Sequence, residues 1–315
     1  MARKLRIQYA GACYHVINRG NYRRDLFESP GTAEAFLRVL FEAVEKFGWE
    51  IYAWVLMRNH YHLALGTPDP TLVEGMHWLQ STLATRFNRF RKESGHLFQG
   101  RYKSILLEDE AIVGRVVDYI HLNPVRAKIV TPEQVGAYRW SSLVRFIRGS
   151  RKRGMLASEW LKARGGWDDS TEGWKAYEAH LVEIGRDEAA WEREGLVGLS
   201  KGWAIGTPVW RQAVAKDHAR LSLNPGMEQE EIQELRRLAW VESLHKHLRL
   251  GGKNQDDLKS RPKNLPWKVT LAYQIRQETG APIPWLAANL HLGKPASVRS
   301  YLSRHGILRN QQTTA

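Results

Sequence analysis

The chain has a single cysteine, Cys13, among 315 residues. That excludes an internal disulfide framework and any zinc finger built on cysteine thiolates, and it suits a reducing compartment. Long apolar runs are also missing: the longest, such as Ile51 to Met57, fall far short of the roughly 20 residues that cross a bilayer. The basic start, Met1-Ala2-Arg3-Lys4-Leu5-Arg6, is not followed by an apolar segment, so no signal peptide and a cytoplasmic location are expected. No Gly-x4-Gly-Lys-Ser/Thr segment occurs, which excludes a P-loop motor. Acidic residues are in short supply, 33 against 47 Lys and Arg, giving a net charge of +14 and a pI near 9.9. Such a surplus favours a polyanionic partner, nucleic acid above all, and no membrane partner is expected.

What is present is enough for two or three domains. Hydrophobic residues make up 43% of the chain and charged residues 25%, the composition of a globular protein. The charge divides unevenly: 21 basic and 14 acidic residues over 1–150, 20 and 18 over 151–267, and 6 and 1 over 268–315. Two basic ends flank a near-neutral middle.

Along the first part, residues 13–18 read as a strand, and Ser29-Pro30 to Gly48 as a capped helix with Phe36, Leu37, Leu40, Phe41 and Val44 on its buried stripe. Trp49 to Met57 pairs as a hairpin with the strand that holds His60 and His62. A long helix follows over 71–92. Residues 96–107 read as a strand interrupted by Gly100, placing Arg101 and Lys103 on one face. A third helix opens at Glu108-Asp109-Glu110 and is predicted to end at Asn123, because the residue before Pro124 resists helical geometry.

Two constellations in this part carry chemistry. Side chains two apart on a strand share a face, so His60 and His62 can share a metal ion. Tyr119 and Asn123, four apart on the third helix, also share a face, while His121 points elsewhere and reads as a packing or capping residue. An isolated His-x-His is also what a half-exposed strand carries by chance, and a lone helix tyrosine often packs against a sheet. Together they form the parts list for metal-assisted phosphoryl transfer. A tyrosine oxygen is a weak nucleophile at its usual pKa of about 10, and a divalent ion on His60, His62 and the Asn123 oxygen would polarise the phosphate it attacks.

Five segments, in order, carry a family resemblance: Tyr14-His15-Val16-Ile17-Asn18-Arg19-Gly20-Asn21, Met57-Arg58-Asn59-His60-Tyr61-His62, Phe98-Gln99-Gly100-Arg101-Tyr102-Lys103, Tyr119 to Ala127, and Trp140-Ser141-Ser142. With them residues 1–148 resemble the REP-associated tyrosine transposases, a branch of the IS200-like single-tyrosine HUH transposases. The resemblance implies an α+β fold, a ferredoxin-like antiparallel sheet flanked by helices. It implies His60 and His62 as ligands of Mg²⁺ or Mn²⁺, and Tyr119 as a nucleophile forming a 5′-phosphotyrosine. It also implies single-stranded DNA hairpins as substrates, cut and rejoined. The position of Asn123 is often glutamine in related transposases, and Asn123 could instead cap its helix. Arg19, Arg23, Arg101, Lys103 and Arg126 are candidate DNA contacts, and the expected place of action is the nucleoid.

Residues 150–266 read as a Trp-rich helical middle, with seven of the 13 tryptophans, closing in a polar linker over 253–266. Residues 267–315 read as three short helices resembling a helix-turn-helix. Its last helix would present Ser297, Arg299, Ser300 and Arg304 to DNA, duplex DNA included, although three short helices also serve as a plain packing module. The expected domains are therefore 1–149, 150–266 and 267–315. Monomer or dimer stays open, leaning to monomer. A non-catalytic DNA-binding regulator and an HUH replication initiator or relaxase are the rival functions.

Overall fold

The computed structural model describes residues 6–217, 229–259 and 262–302. They form two compact units, one ending at Thr207 and one beginning at Pro208. The boundaries expected at 149/150 and 266/267 fall inside these units, one in each.

The first unit opens with β1 (Ala12–Arg19), α1 (Pro30–Phe47), β2 (Glu50–Met57), β3 (His60–Thr67), α2 (Leu72–Arg91), β4 (Lys103–Leu107) and α3 (Glu110–Arg126). The four strands pair antiparallel in the order β2-β3-β1-β4, the ferredoxin-like arrangement expected of a β-α-β-β-α-β chain. Helix α1 forms where its caps dictate. The Ser29 hydroxyl accepts the Thr32 N–H at 3.3 Å, Pro30 takes the first position, and Gly48 ends the helix at φ 65°, a conformation that a side chain would strain. The whole predicted stripe, Phe36 to Val44, is buried. Gly75 of α2 is required for a different reason: a Cβ there would lie 2.1 Å from the Trp49 ring.

Register decides what reaches each face of the sheet. Ile17 lies opposite His62 and Lys103, and Arg19 lies opposite His60, so His15, Ile17, Arg19, His60, His62 and Lys103 share one face. Tyr14, Val16, Tyr61 and Leu63 take the other face, where the Phe36 ring of α1 packs 4.7 Å from that of Tyr61. Helix α3 covers the histidine face, with the Tyr119 ring 5.6 Å from that of His62.

Two predicted boundaries move. The strand expected over 96–107 begins only at Lys103, because Gly100 at φ 80° turns the chain out of the pleat. Before it, the Gln99 N–H donates to the Arg19 carbonyl at 2.9 Å and Phe98 bridges Gly20. The alternation drawn for Arg101 and Lys103 therefore does not apply. Helix α3 starts at Glu110, two residues after the acidic run opens, with Asp109 as its cap, and continues through Pro124 to Arg126. The proline sits in the final turn. Burial of Leu122 and Asn123 outweighs the local bias before it, and the Pro124 carbonyl is taken by the Ile129 N–H at 2.9 Å.

After α4 (Ser142–Ile147), the predicted Trp-rich segment supplies α5 (Ser158–Gly165), α6 (Thr171–Arg186) and α7 (Glu188–Arg193). Phe146 stacks on Trp174 at 4.7 Å, and Trp160 and Tyr177 pack edge-on to Trp174, so these aromatics are core as expected. The segment also holds β5 (Ala204–Ile205), which pairs parallel to β4 and makes the sheet mixed rather than purely antiparallel.

The second unit is helical: α8 (Pro208–Asp217), α9 (Gln229–Leu250), α10 (Pro266–Thr279), α11 (Ile283–Asn289) and helical residues 295–302. Trp240, Leu244, Leu248, Leu271, Ala272, Ile275, Leu286 and Val298 form one buried cluster. Leu258, inside the predicted linker, is buried in it too. No helix among the described residues is long and apolar enough to cross a membrane.

Candidate nucleophile and metal site

Strands β1 and β3 and helix α3 place four rings together. The centroid of His62 lies 5.2 Å from His60, 5.1 Å from His15 and 5.6 Å from Tyr119, with Tyr119 also 5.7 Å from His15. His15 and His62 are buried and His60 is half-buried. Burial favours the neutral imidazole, and it is the main cause that lowers His15 and His60 to about 4 and His62 well below its ordinary value. Arg19 beside His60 acts in the same direction. The imidazoles therefore hold free lone pairs at neutral pH.

Hydrogen bonds determine which lone pairs these are. Asn59 donates through Nδ2 to the Arg23 carbonyl at 3.2 Å, so its Oδ1 is free to accept the Nδ1–H of His60 at 2.8 Å. That leaves the lone pair on Nε2 of His60. His62 is engaged through Nδ1 by Nε2 of His15 at 2.9 Å. Neither Nε2 of the pair makes a hydrogen bond among the described residues. Sequence reasoning passed over Asn59 and His15, taking the first as a turn residue and the second as part of a strand. The His15 signal was available, since a histidine at the third position of a buried strand alternates onto the same face as the pair.

Tyr119 is 4% exposed, and its hydroxyl accepts a hydrogen bond from Nη1 of Arg126 at 3.1 Å. The guanidinium also lies 5.6 Å from the ring centroid. Asn123 is buried, and its Nδ2 donates to the Tyr119 carbonyl at 2.7 Å, leaving only Oδ1 to offer a cation. Asn123 lies inside α3, whose C-terminal cap is Ala127, so it does not cap the helix. Among the described residues no group of three His, Cys, Asp or Glu side chains is arranged to hold a metal. Two neutral imidazoles and a carboxamide oxygen are donors of a kind that a divalent ion keeping water in its remaining positions accepts.

The predicted DNA contacts divide. Arg19 is exposed beside His60, half-buried Lys103 shares their face, and exposed Arg126 touches Tyr119. Exposed Arg101 lies in the bend before β4, and exposed Arg23 lies in the turn whose carbonyl holds Asn59. Half-buried Ser297 and exposed Arg299 belong to the second unit, and Arg304 lies outside the described residues. His121, four residues from Val117 on another face of α3, bonds Tyr177 and Ser142 and takes no part in this cluster.

Comparison with known proteins gives one family. Residues 8–123 match the family described as IS200-like transposase. Among solved structures, a REP-associated tyrosine transposase bound to a REP hairpin is 19% identical, covering 50% of this chain and 92% of that one with a TM-score of 0.40. A protein of Deinococcus radiodurans described as a transposase is 21% identical, covering 41% of this chain and 92% of that one with a TM-score of 0.28. No curated protein matches the chain.

Proposed function

We propose, from the match of residues 8–123 to the IS200-like transposases, that the chain is a metal-dependent tyrosine transposase that cuts and rejoins single-stranded DNA at palindromic hairpins. The observation that carries this reading is the packing of the Tyr119 ring against His62, with Arg126 on its oxygen. In the reaction, the Tyr119 oxygen attacks a backbone phosphorus. The P–O3′ bond breaks, and the proton lost by the phenol ends on the leaving 3′-hydroxyl. The product is a 5′-phosphotyrosine, which conserves the energy of the broken bond, so the reverse attack by a 3′-hydroxyl needs no ATP.

His60, His62 and Oδ1 of Asn123 would hold Mg²⁺ or Mn²⁺. When bound, the ion supplies Lewis-acid polarisation of the phosphate and orients it. Imidazole donors favour the later transition metal, so Mn²⁺ is expected to support cleavage at a lower concentration than Mg²⁺. Arg126 places positive charge beside the attacking oxygen and the phosphate it meets. Arg19, Arg23, Arg101 and Lys103 take the DNA backbone, and the +5 balance over 268–315 gives the helices bearing Ser297, Arg299 and Arg304 a second DNA contact, duplex included. The enzyme acts in the cytoplasm, at the nucleoid.

The test is to incubate labelled single-stranded hairpin carrying flanking bases with the protein and Mn²⁺, denature, and locate the DNA by gel and mass spectrometry. A covalent adduct on Tyr119, absent from Tyr119→Phe, is expected. A water-terminated cut without adduct would make the protein a hydrolase, and binding without any cut would leave it a regulator.

A further inference from the structure

His15 is the buried polar group that this chemistry leaves without a task. It lies opposite Ala64, diagonal to His62 across the β1–β3 pair, and it is fully buried. Its Nδ1 is 2.9 Å from the Leu199 carbonyl oxygen, and its Nε2 is 2.9 Å from Nδ1 of His62. A carbonyl can only accept, so Nδ1 of His15 carries a hydrogen. A buried imidazole with no carboxylate among these partners is neutral and has only that one hydrogen. Its Nε2 therefore accepts, and the hydrogen between the rings belongs to Nδ1 of His62. What remains to His62 is the lone pair on Nε2.

We infer that His15 is a positioning residue: anchored on the Leu199 carbonyl, it fixes His62 as the Nδ1–H tautomer and leaves Nε2 as the only ring nitrogen able to coordinate. Asn59, anchored on the Arg23 carbonyl, does the same for His60. The two ligands are thus set by different parts of the chain. Leu199 stands outside residues 8–123, so the backbone of the Trp-rich segment orients a ligand of the transposase domain. A partner of this kind raises ligand basicity and removes rotational freedom.

The inference rests on the proposed function only for the metal; the tautomer is independent of it. The experiment uses the full chain, metal-free and labelled with ¹⁵N-histidine at pH 7.5, and reads both ring tautomers from long-range ¹H–¹⁵N correlations. Nδ1–H signals are expected for His15 and His62 alike. An Nε2–H form of His62 overturns the inference. A second arm titrates Mn²⁺ alone by calorimetry. His15→Phe, which keeps the volume and removes the acceptor, should weaken Mn²⁺ binding about 10–100-fold, the usual cost of losing such a partner. His15→Gln, which restores an acceptor oxygen, should recover most of the affinity. Unchanged Mn²⁺ affinity in a folded His15→Phe protein also overturns it, and if that variant does not fold, the wild-type tautomer decides. Failure of the wild type to bind Mn²⁺ would sink the metal reading above while the tautomer still decides this one.

Discussion

Helix α3 carries buried polar groups on two faces, and the two faces are satisfied to different degrees. On the side of α4, α5 and α6, Asp118 accepts from Arg164 at 2.6 Å and Tyr177 at 2.9 Å, and pairs with His180 at 3.2 Å. His121 uses both nitrogens, on the Tyr177 hydroxyl at 3.0 Å and the Ser142 hydroxyl at 2.8 Å, and Ser142 in turn accepts the Trp54 N–H. Both oxygens of Asp118 and both nitrogens of His121 are engaged there. On the sheet side, Tyr119, Asn123, His60 and His62 each use part of their capacity internally and keep an oxygen or nitrogen free. Closure of a buried network serves the fold, and a fixed remainder serves chemistry.

The sharpest way to break this comparison is to remove a group from the open side. His60→Ala or His62→Ala should abolish cleavage in Mg²⁺ or Mn²⁺ while hairpin binding, measured by gel shift, stays close to wild type, because the basic surface is untouched. Full cleavage by either variant would remove the pair from the site. On the closed side, Asp118→Ala leaves the Arg164 guanidinium partly buried with only Glu194 as an ionic partner. It should lower stability by about 3–5 kcal/mol in denaturant unfolding, with activity per folded molecule retained. A loss of activity without a loss of stability would reverse the roles assigned to the two faces.

Acid acts on both faces, since burial lowers His15, His60 and His62 as well as His121, and the share of the closed face is read by difference. His121 is held neutral by burial, which lowers it to about 3. Since its folded value lies below the unfolded value of about 6.5, the unfolded chain binds the proton first. Its contribution is therefore lost as pH falls from about 6.5 toward 3, at up to about 1.4 kcal/mol per pH unit. Thermal unfolding of the wild type between pH 7 and 5 should show this slope, and His121→Gln, less stable at pH 7, should be flatter by about one proton. An identical slope would mean that the ring is protonated in the fold. The smallest effect belongs to the second unit, where Arg299→Ala should reduce the salt slope of DNA binding by about one counterion.

Much of this arrangement was legible where local rules and tertiary packing agree. Ser29-Pro30 and Gly48 bounded α1, the apolar run of Trp49 to Met57 marked the β2–β3 hairpin, and His60, His62 and Tyr119 share a cluster, as the family resemblance implied. What escaped has physical causes. β5 is two residues long and has no periodicity to detect. Pro124 argued for an end to α3 that the burial of its last turn overrides. The partners of His15 and Asn59 are backbone carbonyls of Leu199 and Arg23, and a carbonyl carries no letter in the sequence.

The parallel strand β5 and the Leu199 carbonyl come well after the histidine pair in the chain, and that gives its ordering a clock. His62 precedes Leu199 by 137 residues (199 − 62). At ribosomal speeds of about 5–20 residues per second, the nascent histidine pair waits on the order of ten seconds for the carbonyl that orders it. Tyr119 is synthesised 57 residues after His62 (119 − 62), so for the last 80 residues of that wait (199 − 119) it stands in the nascent chain with both histidines. A chain stalled or broken between Tyr119 and Leu199 carries His60, His62 and Tyr119 but only one of its two imidazoles held in place.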